Sequence, residues 1–172
     1  MRQVLVSLLL FGVLLVPSCA AAAPKQATVL LVGNYWDGVS DAPLGAAEIL
    51  VVDGRIAEVG KSVARPEGAR VIDLSSKFVT PGFIDTHVHL TGGSRFFANT
   101  MGSNDASLTL NGVRACGRLL DNGFTTVRDA GDFSFNFWVV PELKKAVESG
   151  IIRGPRIVCG GHMISAVGGH FD

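Results

Sequence analysis

The chain has 172 residues, 48% of them hydrophobic, and its 15 basic and 15 acidic side chains give a formal net charge of zero. This is the composition of an ordinary globular protein. Because zero net charge offers no electrostatic attraction for nucleic acid or for an anionic surface, we expect neither as a partner.

The first segment, residues 1–23, is predicted to be a secretory signal peptide rather than part of the fold. A short positive start is followed by the apolar run Val4–Val16 and by small residues suited to cleavage. The run is too short and wrongly flanked for a resident membrane span. Val16-Pro17-Ser18-Cys19 also resembles a bacterial lipobox, in which Cys19 would carry a lipid anchor. We expect an exported protein, periplasmic or extracellular, with a membrane-anchored lipoprotein as the alternative.

Residues 24–80 are predicted to form the N-terminal part of a small β-sandwich. Short apolar runs alternate here with turn residues, and Asp53-Gly54 is a strong signal for a two-residue hairpin. The strand-like runs lie at 28–32, 49–52, 55–59, 70–74 and 78–79.

Residues 81–172 are predicted to be the start of a parallel barrel, because strand and helix patterns now alternate. The first helix has one apolar face and ends before Gly123, and the second runs from Pro141 to Ser149. Since a complete (β/α)8 TIM-type barrel needs about 250 residues, we expect an α/β fold with an incomplete barrel of about three strands. The strand-like runs are 83–89, 124–128 and 156–159, and the helical face comprises Ala106, Leu110, Val113, Gly117 and Leu120.

Two histidines, His87 and His89, lie at the end of the first strand of this region. Residues i and i+2 of a strand point to the same side, so both imidazoles are presented to one point in space. Imidazole is the commonest side-chain metal ligand and suits zinc and its neighbours. The carboxyl end of a strand is also where a parallel barrel keeps its chemistry. The pair therefore predicts half of a metal site.

Several segments together resemble the opening of the metal-dependent amidohydrolase superfamily. They are Asp53-Gly54-Arg55-Ile56, Val71-Ile72-Asp73-Leu74 and Pro81-Gly82-Phe83-Ile84-Asp85-Thr86-His87-Val88-His89-Leu90. Three later segments resemble the branch of this superfamily that contains Xaa-Pro-type dipeptidases and imidazolonepropionase-related enzymes. They are Gly123-Phe124-Thr125-Thr126-Val127-Arg128-Asp129-Ala130-Gly131, Gly154-Pro155-Arg156-Ile157 and Gly168-Gly169-His170-Phe171-Asp172. The resemblance implies a (β/α)8 barrel beside a β-sandwich made from both chain ends.

The resemblance also implies that His87 and His89 bind the first of one or two divalent ions, with zinc as the expected metal. A usually carboxylated lysine, two further histidines and an aspartate come from later strands in the family. The water-activating residues are therefore expected beyond Asp172, and no catalytic residue is assigned within the chain. Because catalytic zinc sites normally use three protein ligands, this chain alone is expected to bind metal weakly and to be inactive.

The function predicted on this basis is that of the N-terminal part of an exported hydrolase that cleaves small amide or peptide bonds with metal-activated water. Export favours Xaa-Pro-type dipeptides as substrates, and a cyclic amide, as in imidazolonepropionase, is the alternative. A second hypothesis is non-enzymatic, namely a truncated inactive remnant or a lipid-anchored binding module. A small molecule or dipeptide is the expected binding partner, and an oligomer is compatible with either hypothesis.

Other residues near the predicted site are candidates for supporting roles. His170, in the glycine-rich loop after the third barrel strand, is the candidate for contact with the substrate. Asp85 either orients a histidine or only accepts backbone N–H groups. Arg128 and Asp129 end the second barrel strand, where they either reach the pocket or form the ion pair that we expect. His162 is expected to take no part in the site.

Two further features concern packing. Export would permit a disulfide between Cys116 and Cys159, but their places in a helix and an apolar strand favour two buried free thiols. An aromatic run after the second barrel strand is expected to pack under the barrel rather than to form a patch for a partner. It comprises Phe133, Phe135, Phe137 and Trp138.

Overall fold

The computed structural model describes residues 26–92, 103–134, 136 and 138–169 of the chain. The predicted signal peptide with Cys19, and the positions Phe135, Phe137 and His170, lie outside the described residues. Within the described part, no helix combines the length and the apolar character that crossing a membrane requires.

The described strands and helices fall into two units. The first contains β1 to β4, and the second contains β5 to β7 with the helices α1 and α2. The strands are β1 (Ala27–Tyr35), β2 (Ala47–Val52), β3 (Arg55–Gly60), β4 (Arg70–Val79), β5 (Phe83–Val88), β6 (Phe124–Asp129) and β7 (Arg156–Cys159). The helices are α1 (Asp105–Asp121) and α2 (Val139–Glu148).

The first unit is a four-stranded mixed sheet in the order β3-β2-β1-β4. Both β1–β2 and β2–β3 are antiparallel, whereas β1 and β4 are parallel. Between β2 and β3, Asp53 and Gly54 have φ angles of 51° and 74°, the positive values that a two-residue hairpin turn of type I′ requires. The predicted hairpin is therefore confirmed. The core of this unit consists of Ala27, Val29, Leu50 and Val63.

Strand β4 differs from the prediction, which divided it into two runs. It forms one strand because it pairs with β1 on both sides of an irregularity between Val32 and Asn34. At Gly33, within this irregularity, a Cβ atom would overlap the carbonyl oxygen of Ser75, so glycine is needed for the close approach of the two backbones. The described residues of this unit form one sheet, and the two-layer sandwich stays a prediction.

The second unit contains a parallel three-stranded sheet in the order β5-β6-β7. Helix α1 connects β5 to β6, and α2 connects β6 to β7. This is the strand–helix alternation that the sequence predicted, and the α/β class is confirmed. Helix α2 begins at Val139 rather than at Pro141, which is possible because the first helical turn leaves its N–H groups without intrahelical partners.

Both helices pack on the sheet and enclose a core. Cys116 is buried in this core, Cys159 is half-buried beside it, and both are free thiols, as predicted. The buried residues are Leu90, Cys116, Val127, Val139, Val140, Leu143 and Ile157.

The apolar face predicted for α1 is confirmed at Val113, which packs against the core, and is wrong at Leu110. The buried residues of this helix are Leu108, Gly112 and Cys116, whereas Leu110 is 71% exposed. Gly112 lies against the side chain of Leu143 in α2, at a point where a Cβ atom would overlap it. A glycine therefore lies at the contact between the helices, beside the large buried side chain of Leu108.

Candidate metal-binding site

The two histidines of the predicted site lie together at the carboxyl end of β5. From Asp85 to Val88, β5 advances by three residues while β6 advances by two, so β5 contains a bulge just before the histidines. Val88 packs against the core, and because neighbouring residues of an extended chain alternate in direction, His87 and His89 face away from it. Their ring centres are 5.3 Å apart.

Both rings line one cavity of about 380 Å³. His162, from the segment after β7, lies in the same cavity wall, and the expectation that it takes no part in metal binding stays a prediction. Its position at the carboxyl end of a parallel strand was the available signal, because such ends meet at one edge of the sheet. The cavity is lined by His87, His89, Ala130, His162, Met163 and Ile164.

The ring of His89 is held on two sides. Its Nδ1 atom lies 3.1 Å from the carbonyl oxygen of Gly131, which can only accept, so Nδ1 carries the proton. The ring of Phe133 packs against it with the ring centres 5.0 Å apart. A proton on Nδ1 leaves the lone pair on Nε2, and this form of the ring can bind a metal through Nε2.

Asp129, the last residue of β6, is fully buried next to this arrangement. Its Oδ2 accepts the N–H of Leu90 at 2.7 Å, and its Oδ1 accepts the N–H of Gly131 at 3.0 Å. Burial raises the pKa of the Asp129 carboxyl, while these two hydrogen bonds act in the opposite direction. The carboxylate thus binds the backbone of the residue that follows His89 and of the residue whose carbonyl contacts the His89 ring.

Arg128 and Asp85 hold the end of β5. The carboxylate of Asp85 accepts the N–H of His87 at 3.0 Å, and Nη1 of Arg128 donates to the carbonyl of Thr86 at 3.0 Å. The expected ion pair of Arg128 with Asp129 is not among the ion pairs of the described residues. The reason is that neighbouring strand residues face opposite sides, so Arg128 is exposed while Asp129 is buried.

The loop after β6 contains a second buried carboxylate, Asp132, which the sequence did not reveal. Its Oδ2 accepts the N–H of Val140 at 2.8 Å and its Oδ1 accepts the N–H of Ser134 at 2.9 Å. Asp132 therefore caps α2, whose N-cap residue Trp138 makes no side-chain capping bond. Trp138 is 64% exposed, so the prediction that it packs inside the fold is wrong, whereas Phe133 does pack, on His89.

The two imidazoles fit two positions around one metal ion. Histidine nitrogens lie about 2.0–2.1 Å from zinc, and two such rings at a tetrahedral angle have centres roughly 5 Å apart, close to the spacing here. Among the described residues, no group of three or more His, Cys, Asp or Glu side chains could hold an ion. The described part of the chain therefore brings together two ligands, and a catalytic site requires more.

Comparison with known proteins gives a family match over the same region. The model of the Amidohydrolase family matches residues 78–169. Ochratoxinase from Aspergillus niger is 27% identical over 159 residues, which cover 89% of this chain and 32% of the relative.

Solved structures agree with this match. A Xaa-Pro dipeptidase with methionine bound in its active site has a TM-score of 0.72 and 27% identity, covering 86% of this chain and 36% of that one. A prolidase complexed with N-methylphosphonate-L-proline has a TM-score of 0.74 and 32% identity, covering 84% of this chain and 34% of that one. This chain spans about a third of the length of these relatives.

Proposed function

Because this chain belongs to the amidohydrolase family, we propose that it forms the N-terminal part of an exported, metal-dependent hydrolase that cleaves small amide or peptide bonds. Members of the family generally use divalent metal ions and act on small molecules. The observation that carries the proposal is the pair of His87 and His89, with ring centres 5.3 Å apart in one cavity.

Xaa-Pro-type dipeptides are the substrate class that we favour. The likeness to a Xaa-Pro dipeptidase and to a prolidase, each over more than four fifths of this chain, supports this choice. The cavity of about 380 Å³ falls within the range of about 300–1,000 Å³ for small-molecule pockets. Ala130, Met163 and Ile164 give it an apolar wall suited to an aliphatic ring.

The proposed enzyme combines a barrel with a β-sandwich. Residues 81–172 would supply the first strands of a (β/α)8 barrel, and residues 24–80 would supply part of a β-sandwich. The parallel order β5-β6-β7 with a helix in each connection supports the barrel, since each of its strands is followed by a helix.

His87 and His89 are the residues that would hold the first ion. When bound, a divalent ion such as zinc lowers the pKa of water toward neutrality and polarises the scissile carbonyl. The hydrogen bond from His89 to Gly131 keeps Nε2 free for this purpose. The bonds that Asp85 and Arg128 make to the backbone of β5 keep His87 at the edge of the cavity.

The test measures zinc content and hydrolysis of Xaa-Pro dipeptides by the complete protein and its histidine variants. We expect His87→Ala and His89→Ala each to lower zinc affinity more than tenfold and to abolish hydrolysis, because each removes a ligand. His162→Ala is the matched control, since it removes an imidazole from the same cavity wall and should leave zinc content within twofold.

Unchanged zinc binding and turnover in His87→Ala would contradict the proposal. Residues 24–172 alone should bind zinc weakly and show no turnover, because two ligands do not make a catalytic site. A complete protein that binds zinc through both histidines but hydrolyses neither dipeptides nor cyclic amides would support the non-enzymatic binding module instead.

A further inference from the structure

We propose that Asp129 is a positioning residue that fixes the orientation and the tautomer of the His89 ring. The inference rests on the proposed metal site for its purpose, but its geometry is independent of any ion. It concerns a buried side chain that does not itself line the cavity.

A single carboxylate connects the two backbone segments that hold His89. One oxygen of Asp129 binds the N–H of Leu90, which directly follows His89 in the chain. The other binds the N–H of Gly131, and the carbonyl of the same Gly131 meets Nδ1 of His89. The ring and its hydrogen-bond acceptor are therefore both placed relative to one carboxylate.

Gly131 has little freedom to move away from this position. The neighbouring backbone continues the sheet, with Ala130 N–H bonded to Val88 at 2.8 Å and Asp132 N–H bonded to Gly161 at 3.2 Å. A Cβ atom on Gly131 would overlap the side chain of Met163, which packs directly over it. The acceptor for His89 is thus held by the strands, and Asp129 is the side chain that ties it to the histidine segment.

The arrangement needs two acceptor atoms in a short side chain. An ionised aspartate has acceptor sites on both oxygens, whereas asparagine offers one oxygen and presents an NH₂ group where the other bond must be accepted. In Asp129→Asn one of the two backbone N–H groups therefore loses its partner. The spacing between Leu90 and Gly131 should then relax, and with it the alignment of His89.

The experiment records the imidazole nitrogen signals of the whole chain labelled with ¹⁵N-histidine, without metal and at a pH where the rings are neutral. In the wild type, we expect His89 to carry its proton on Nδ1, the less common tautomer of free histidine. In Asp129→Asn, we expect the population of this tautomer to fall at least threefold. Zinc affinity of the same samples should fall about 10- to 100-fold, as for other changes beside a metal ligand.

Asp132→Asn is the matched control, because Asp132 is equally buried and also accepts two backbone N–H groups, those of Ser134 and of Val140 in α2, besides the hydroxyl of Thr91. It should lower the thermal stability as much as Asp129→Asn does, while the His89 signals and zinc affinity stay within twofold of the wild type. Equal effects of both variants on the His89 tautomer would overturn the inference, since they would show a general loosening.

A wild-type His89 protonated on Nε2 would also overturn it, and this measurement needs no variant to fold. A tautomer change in Asp129→Asn without any zinc binding at His89 in the wild type would have a different meaning. It would uphold the positioning role and contradict the proposed metal site.

Discussion

Cys116 shows how burial controls the chemistry of a single residue in this protein. The thiol has no exposed surface, and burial raises its pKa from the usual 9.0 to about 11, with the charge of Asp129 adding to the shift. Between these two values the folded protein keeps a proton that the unfolded chain releases. Stability is therefore unaffected below pH 9 and decreases as the pH rises toward 11.

Replacing Cys116 with alanine should remove this alkaline loss of stability. Between pH 9 and pH 10, the free energy of unfolding of the wild type should fall by about 1 kcal/mol more than that of Cys116→Ala. Urea unfolding followed by circular dichroism at each pH measures the difference. The two proteins should differ by a constant amount below pH 8, and a difference that stays constant up to pH 10 would contradict the assignment.

At the scale of the element, the contact between α1 and α2 depends on a missing side chain. Gly112 allows α1 to approach Leu143, whose side chain is only 2% exposed and lies in the core between the helices and the sheet. Glycine in a helix interior normally costs about 0.5–1 kcal/mol relative to alanine. The close packing of the helices compensates for that cost at this position.

The helix contains its own control, because a Cβ atom on Gly117 would meet nothing within 4 Å. We expect Gly117→Ala to stabilise the protein by about 0.5–1 kcal/mol through helix propensity alone. Gly112→Ala should instead be less stable than Gly117→Ala by roughly 1–3 kcal/mol, because a methyl group is forced into a packed core. Thermal unfolding of both variants tests this, and equal stabilisation would show that the helices can separate without penalty.

At the scale of the whole molecule, the predicted signal peptide would determine the location of the proposed enzyme. The run Val4–Val16 and the small residues after it motivate export, and Cys19 provides the alternative of a lipid anchor. An exported hydrolase would meet peptides outside the cell, which is why location and substrate are linked in the proposal.

Export predicts that the mature protein is recovered outside the cytoplasm without residues 1–23. Leu9→Arg, which places a charge in the apolar run, should block processing and retain the full-length protein inside. Cys19→Ala separates the two forms of export, because it abolishes membrane attachment of a lipoprotein and leaves a soluble protein unaffected. Wild-type protein found in the cytoplasm with its leader intact would contradict export.

Several structural features of this protein can be predicted from short stretches of its sequence. The Asp53-Gly54 hairpin, the stop of α1 before Gly123 and the neighbouring positions of His87 and His89 depend on residues a few places apart, whose conformational preferences act without the rest of the chain. The alternation of strands and helices after Pro81 was equally visible, because each element carries its own periodicity.

Tertiary structure decided the features that join distant parts of the chain. The hydrogen bond between Asp129 and Leu90 joins residues 39 positions apart in the sequence, and the one between His89 and Gly131 joins residues 42 positions apart. These pairings therefore depend on strand register rather than on sequence neighbours. The contact with Leu143 likewise determines which side of α1 is buried. His162 lies beside the other histidines because the carboxyl ends of parallel strands share one edge of the sheet. Local preferences choose the elements, but only the packing of those elements determines which side chains meet, because a contact depends on the positions of both partners.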